Sequence, residues 1–103
     1  MTHVLQLMER HRNEPLSVVD LARAVNVSPS YLRRLFRSQF GESPSQYDRN
    51  VRLDQARELI LTTFLSVKEV MVAVGWRDPS HFSREFKRRH GVGPRDLRVH
   101  AHG

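Results

Sequence analysis

The sequence contains no cysteine among its 103 residues. That absence excludes a disulfide framework, a zinc site with thiolate ligands and a cysteine nucleophile. No apolar run is long enough to cross a bilayer, and the amino terminus lacks the charged and then apolar pattern of a signal peptide. We therefore expect a cytoplasmic protein with no membrane contact.

Motifs of catalysis and metal binding are also missing. The sequence has no HExxH motif, no glycine-rich phosphate loop and no pattern that pairs a nucleophile with a base. The six histidines are scattered, and only His100 and His102 stand close together. We therefore expect no enzymatic activity, no metal site and no cofactor.

Positive charge dominates the composition. Lys and Arg number 17 against 11 Asp and Glu, which gives a formal charge of +6 at pH 7. Such an excess favours a polyanionic partner, although basic charge alone is a weak signal. A chain of this length can bury one modest core or two small lobes.

The sequence repeats itself. Residues 16–44 return as residues 65–94, with the same apolar, capping and basic positions. The offset is 49 residues between Leu16 and Leu65 and 50 residues between Pro44 and Pro94, so the second copy has one extra residue in its turn. Each copy predicts a helix, a tight turn and a second helix, which is the plan of a helix-turn-helix.

Helix starts and ends are clearly marked in both copies. Ser17 followed by Asp20, and Ser66 followed by Glu69, match the capping box at a helix start. Later helix starts place a cap residue before proline, a pattern found at Ser28-Pro29, Ser43-Pro44, Asp78-Pro79 and Gly93-Pro94. Residues that tolerate positive φ stand at the turns and helix ends, and they are Asn26, Gly41, Gly75 and Gly91.

Two further helices complete the predicted architecture. One covers about the first dozen residues and ends before residues 13–15, and the other links the copies over residues 44–62. The linking helix has one apolar side, formed by Tyr47, Val51, Ala56, Leu59 and Ile60. No strand pattern appears, so we predict an all-α fold of about seven helices. In it, two helix-turn-helix lobes are joined by a long central helix within a single domain, residues 1–103.

The second helix of each copy has a basic outer face. The predicted inward residues are Leu32, Leu35, Phe36 and Phe40 in the first copy, and Phe82 and Phe86 in the second. The side chains left outside are Ser30, Arg33, Arg34 and Arg37, and then Ser80, His81, Arg84, Lys87 and Arg88. Arg and Lys can bind phosphates or guanine edges in the major groove. For one helix alone a solvated basic face explains the pattern as well, but the duplication favours DNA.

Motifs around these helices point to a family. They are Leu21-Ala22, Ser28-Pro29-Ser30-Tyr31-Leu32-Arg33-Arg34-Leu35-Phe36, Gly41-x-Ser43-Pro44-x-x-Tyr47, Arg52-Leu53-x-x-Ala56-x-x-Leu59, Val74-Gly75-Trp76, His81-Phe82-Ser83-Arg84-x-Phe86-Lys87 and Gly91-x-Gly93-Pro94. Over about residues 4–98 the sequence resembles the DNA-binding domain of the AraC/XylS transcriptional regulators. The resemblance implies a tandem helix-turn-helix that regulates transcription, with the second helix of each copy in the major groove.

The resemblance also implies a set of DNA-binding residues. The base-facing positions would be Ser30, Arg33 and Arg34 in the first copy, and Ser80, His81 and Arg84 in the second. The complete predicted set adds Tyr31, Arg37, Lys87 and Arg88. The expected partner is double-stranded DNA with an asymmetric site. RNA polymerase is a further candidate partner, and we expect this chain to be monomeric.

Two positions depart from the family pattern. Met71 stands where the family usually has a small residue, as Ala22 is in the first copy, and Leu97 replaces an aromatic residue near the end. A small residue allows close helix approach, so Met71 bears on how the second recognition helix is presented.

Two other functions stay open from the sequence. One is a helical protein-interaction module, for which Asp54 and Glu58 on the linking helix would form the contact surface. The other is the DNA-binding arm of a larger enzyme that acts on DNA. Dependence of binding on salt separates the first alternative from DNA recognition.

Overall fold

The structure is a computed structural model that describes residues 2–11 and 16–102. Within those ranges it contains seven α-helices and no strand. The helices are α1 (Thr2–Arg10), α2 (Val18–Ala24), α3 (Pro29–Phe40), α4 (Pro44–Thr62), α5 (Val67–Ala73), α6 (Pro79–His90) and α7 (Pro94–His102). The predicted all-α class and the linking helix are confirmed. The predicted stop of the first helix at residues 13–15 lies outside the described residues.

The chain divides into two compact units, Met1–Arg49 and Asn50–Gly103. The core of the first unit is built from Val4, Met8, Leu21, Ala22, Leu32 and Phe36. The core of the second unit is built from Leu53, Ala56, Ile60, Val70, Met71, Val74, Trp76, Phe82 and Phe86. Each unit thus holds one helix-turn-helix around its own apolar core, α2 and α3 in the first and α5 and α6 in the second.

Both predicted capping boxes form. The Ser17 hydroxyl accepts from the Asp20 amide at 3.1 Å, and the Ser17 amide donates to the Asp20 carboxylate at 3.4 Å. The corresponding distances between Ser66 and Glu69 are 3.0 Å and 2.8 Å. The Ser66 amide that donates to this carboxylate lowers the pKa of Glu69. Each box satisfies amide groups that the first turn of a helix would otherwise leave unpaired.

The turns between the paired helices have equivalent geometry. Asn26 and Gly75 take left-handed backbone conformations, with φ of 60° and 83°. After each of them the chain bonds back to the preceding helix, through the Val27 amide to the Ala22 carbonyl and through the Trp76 amide to the Met71 carbonyl, both at 3.0 Å. The predicted positive-φ residues therefore close both turns in the same way.

The inward stripe predicted for α3 is too wide. Phe40 is 37% exposed and Leu35 is half-buried, whereas Leu32 and Phe36 are fully buried. Leu35 lies beside the line formed by Leu32 and Phe36, which are four residues apart, and it is therefore rotated toward the surface. Phe40 continues that line but is the last residue of α3, at the edge of the core. Phe40 instead packs its ring against Tyr47, with centroids 4.5 Å apart.

Across residues 2–11 and 16–102, every helix falls short of the length and apolar character that a membrane span requires.

Candidate nucleic-acid interface

Helix α3 presents the first half of the candidate interface. The Ser28 hydroxyl starts the helix by accepting from the Tyr31 amide at 3.1 Å. Burial of Leu32 and Phe36 then fixes which side of the helix faces the core. The predicted DNA-binding side chains of this helix are all exposed, and they are Ser30, Tyr31, Arg33, Arg34 and Arg37. The structure therefore gathers three arginines on the solvent side of one twelve-residue helix.

Helix α6 presents the second half. The Asp78 carboxylate caps it by accepting from the Ser80 and His81 amides at 3.0 Å and 3.4 Å. Phe82 and Phe86 are buried and orient the helix, as predicted. Four of the predicted side chains are exposed, and they are Ser80, Arg84, Lys87 and Arg88.

His81 differs from the other predicted residues of α6. It is half-buried, and its ring meets the Trp76 ring edge-on with centroids 5.0 Å apart. That contact limits the orientations open to the imidazole. His81 can therefore present one edge to a ligand, while its other side packs against the turn.

Arg88 has a partner on its own helix. Its guanidinium lies 3.0 Å from the Glu85 carboxylate, and its side chain is 79% exposed. The Glu85 side chain is only 12% exposed, so the arginine is the end of the pair that faces solvent. The pair leaves Arg88 accessible to a phosphate.

Three arginines outside the predicted DNA-binding set form hydrogen bonds within the second unit, and they are Arg52, Arg89 and Arg98. Arg52 is 3% exposed and donates to the Val74 carbonyl at 2.7 Å, at the residue that ends α5. Arg98 donates to the carbonyl of Ile60 in the last turn of α4 and to the carbonyls of Thr63 and Leu65, which follow the helix. A buried arginine is recognisable in the sequence only through its place in the Arg52-Leu53-x-x-Ala56 motif, because composition alone assigns arginine to the surface.

The third of these arginines pairs with an acid on α4. Arg89 donates through Nε and Nη2 to the two carboxylate oxygens of Asp54, at 2.6 Å and 2.8 Å. This hydrogen bond lowers the pKa of Asp54, and the charges of Arg89, His90 and Arg57 act in the same direction. In the alternative of a protein-interaction module, Asp54 would belong to the contact surface. In the structure its side chain is 50% exposed and bonded to Arg89 within its own unit.

Among residues 2–11 and 16–102, no group of three or more His, Asp or Glu side chains is arranged so that it could hold a metal ion. The exposed residues of the predicted DNA-binding set carry hydroxyl and guanidinium groups on both recognition helices, and an ammonium group on α6. Such groups bind anions and donate hydrogen bonds to base edges.

Comparisons with known proteins agree with this geometry. A family model described as a helix-turn-helix domain matches residues 21–100. The chain is 36% identical to a transcriptional regulator with an AraC-type DNA-binding domain from Chromobacterium violaceum, with a TM-score of 0.90 over 98% of this chain and 90% of that one. It is 31% identical to the DNA-binding domain of AdpA, solved in complex with a target DNA, with a TM-score of 0.89 over 96% and 89% of the two chains.

A curated relative adds the family context. The chain is 39% identical over 94 residues to the HTH-type transcriptional regulator CdhR of Pseudomonas aeruginosa, which covers 91% of this chain and 28% of that protein. The chain belongs to the AraC-type helix-turn-helix DNA-binding domains. The resemblance predicted from its motifs is confirmed, and the class is one of DNA-binding domains of transcriptional regulators, not of enzymes. The chain spans little more than a quarter of the length of this relative.

Proposed function

We propose that this chain binds double-stranded DNA at an asymmetric site and that the protein it represents regulates transcription. The observation that carries the proposal is the exposure of polar and basic side chains on equivalent helices, α3 and α6, in two units that each have their own core. Because Arg33 and Arg34 in the first copy correspond to Ser83 and Arg84 in the second, the two faces differ chemically. Unlike faces require unlike half-sites.

The proposed roles divide the exposed residues into two groups. Base edges are contacted by Ser30, Arg33 and Arg34 from α3, and by Ser80, His81 and Arg84 from α6. The remaining predicted residues, Tyr31, Arg37, Lys87 and Arg88, lie on the same helices and contact the DNA backbone. Arginine and lysine supply both kinds of contact, since they bind guanine O6 and N7 as well as phosphate.

The proposal includes the arrangement on DNA. Each recognition helix occupies one of two successive major-groove segments, and residues 1–103 act as one DNA-binding domain, with α4 as the link. A relative that is 31% identical was solved with its target DNA, and this supports DNA as the partner here. We further propose that this chain is monomeric and cytoplasmic and that RNA polymerase is a second partner of the protein.

The test is the salt dependence of DNA binding, followed by selection of binding sites from random duplexes. Each phosphate neutralised by the protein steepens the plot of log affinity against log salt by about 0.9, so contacts from both helices predict a steep slope. Arg37→Ala and Lys87→Ala should each weaken binding to all sequences alike. A slope near zero in fluorescence anisotropy would contradict DNA binding and favour the protein-interaction alternative.

A further inference from the structure

The last turn of the second recognition helix is tied to α4 by an ion pair in a fixed geometry. Both nitrogen donors of the Arg89 fork engage Asp54, at 2.6 Å and 2.8 Å. The neighbouring residue adds a second tie, since His90 Nε2 lies 3.1 Å from the Leu53 carbonyl oxygen and 3.5 Å from Asp54 Oδ1. The His90 ring also packs against Phe86, with centroids 4.6 Å apart. Two consecutive residues of α6 thus meet two consecutive residues of α4.

The first recognition helix ends with different chemistry. The residues of α3 that correspond to Arg89 and His90 are Gln39 and Phe40. Phe40 packs against Tyr47 and Phe36, with ring centroids 4.5 Å and 5.4 Å apart. Apolar ring contacts tolerate small rotations, whereas two parallel charge-assisted hydrogen bonds fix both distance and angle. The ionic tie therefore belongs to the second copy and not to the duplicated plan.

We propose that Asp54 is a positioning residue for DNA recognition by α6, which it orients through Arg89 without touching DNA itself. This inference rests on the function proposed above. A bidentate pair at the end of the helix sets the direction in which Arg84 and Lys87 point. The same pair holds the Arg89 guanidinium on a carboxylate, so that one cation next to the candidate interface is kept from phosphates.

The inference has two consequences that act in opposite directions. Loss of the Asp54 carboxylate should loosen the orientation of α6 and reduce base discrimination in the second half-site. It should also remove one negative charge and release Arg89 toward DNA, which favours binding to any sequence. A residue that merely supported folding would lower both kinds of binding together.

The experiment compares Asp54→Asn with Glu58→Gln in the whole chain. Glu58 is an exposed acid on the same helix, so its substitution removes the same charge without touching the pair. Affinities are measured by fluorescence anisotropy for the site selected by the parent, for versions of it scrambled in either half, and for a random duplex. We expect Asp54→Asn to lose about threefold to fivefold discrimination in the second half-site only, as suits one exposed pair. Its affinity for the random duplex should equal or exceed that of Glu58→Gln.

Two more variants keep the inference falsifiable if Asp54→Asn unfolds. Asp54→Glu restores a carboxylate and should recover most of the discrimination. Arg89→Gln introduces the residue of the first copy and should lose discrimination in the same half. Equal losses in both halves, unchanged discrimination, or an effect matched by Glu58→Gln would overturn the inference. A parent chain that selects no site at all would overturn the proposed function, and the inference with it.

Discussion

The two helix-turn-helix copies reach the same backbone turn with side chains of different size. Where the first copy has Ala22, Val27 and Leu32, the second has Met71, Trp76 and Phe82. Met71, Trp76 and Phe82 are all buried in the core of the second unit. The copy with these larger core residues is also the copy that has one extra residue in its turn. A duplicated backbone thus needs matching signals at caps and turns, but its core can be filled differently if the volumes suit each other.

The copies also differ in how polar contacts secure them. In the second unit, arginines at 52, 89 and 98 bond to the end of α5, to Asp54 and to carbonyls at the end of α4. In the first unit the end of α3 is held by the rings of Phe36, Phe40 and Tyr47. Apolar side chains carry no charge to titrate or to screen, whereas the strength of an ionic contact depends on pH and on ionic strength. We therefore expect the second unit to respond to charge substitutions more strongly than the first.

The largest expected effect comes from truncating a core phenylalanine in either copy, and it tests whether the two cores unfold separately. Phe36 and Phe86 occupy equivalent positions in the repeat, and both are fully buried. Truncation of either ring to alanine should cost about 3–5 kcal/mol of unfolding free energy through lost burial and a residual cavity. Phe36→Ala should lower hydrogen-exchange protection in residues 16–49, and Phe86→Ala in residues 50–102.

Leu35→Ala is the control for this comparison. Leu35 is half-buried on the same helix, so its truncation should cost less than that of Phe36. Equal loss of protection across both units in each phenylalanine variant would show that the cores unfold as one. An unchanged denaturation midpoint would contradict the assigned burial itself.

An intermediate effect is expected from the unlike recognition faces. Arg33→Ala should relax base preference in one half-site and Arg84→Ala in the other, each by about 1–3 kcal/mol if a bidentate guanine contact is lost. The two losses should be nearly additive, because the residues belong to units with separate cores. Selection of binding sites for the parent and each variant measures both quantities.

Arg37→Ala serves as the control for these variants. Its proposed phosphate contact carries no sequence information, so it should weaken binding without changing base preference. If both Arg33→Ala and Arg84→Ala relax the same half-site, the assignment of one helix to each half is wrong.

Much of this fold is predictable from local signals. The serine caps at 17 and 66 and the left-handed residues at 26 and 75 depend on neighbours within a few positions, so the sequence alone indicates them. The width of the buried stripe on α3 was overestimated, because the spacing of Phe40 suits burial while Tyr47 covers it only in part. The exposure of Phe40 depends on how closely Tyr47 of α4 packs against the end of α3, and no local sequence pattern specifies that distance.

The exposed faces of the candidate interface follow from the same helical periodicity. What the sequence does not predict is which charges are already paired. Asp54 and Arg89 lie 35 residues apart, and either one alone resembles an ordinary surface residue. Arg52 is similar, since only the packing of α4 against the end of α5 shows that this guanidinium is buried and bonded. Contacts between distant positions require the tertiary structure.

The smallest expected effect concerns acid and the ionic ties of the second unit. Because the Arg89 hydrogen bond lowers the pKa of Asp54 below its ordinary 3.8, the folded state binds a proton there less readily than the unfolded chain does. The pair therefore stabilises the fold at neutral pH, and its contribution is lost as the pH falls below about 4. The Asp54 side chain is 50% exposed, so solvent screening limits that contribution to about 0.2–1 kcal/mol. Chemical denaturation at pH 7 and pH 3 should show a smaller acid-induced loss for Asp54→Asn than for the parent or Glu58→Gln. Identical losses of unfolding free energy in all three proteins would mean that the Asp54–Arg89 pair adds nothing to stability. The pair would then give the second copy no greater sensitivity to acid than the first.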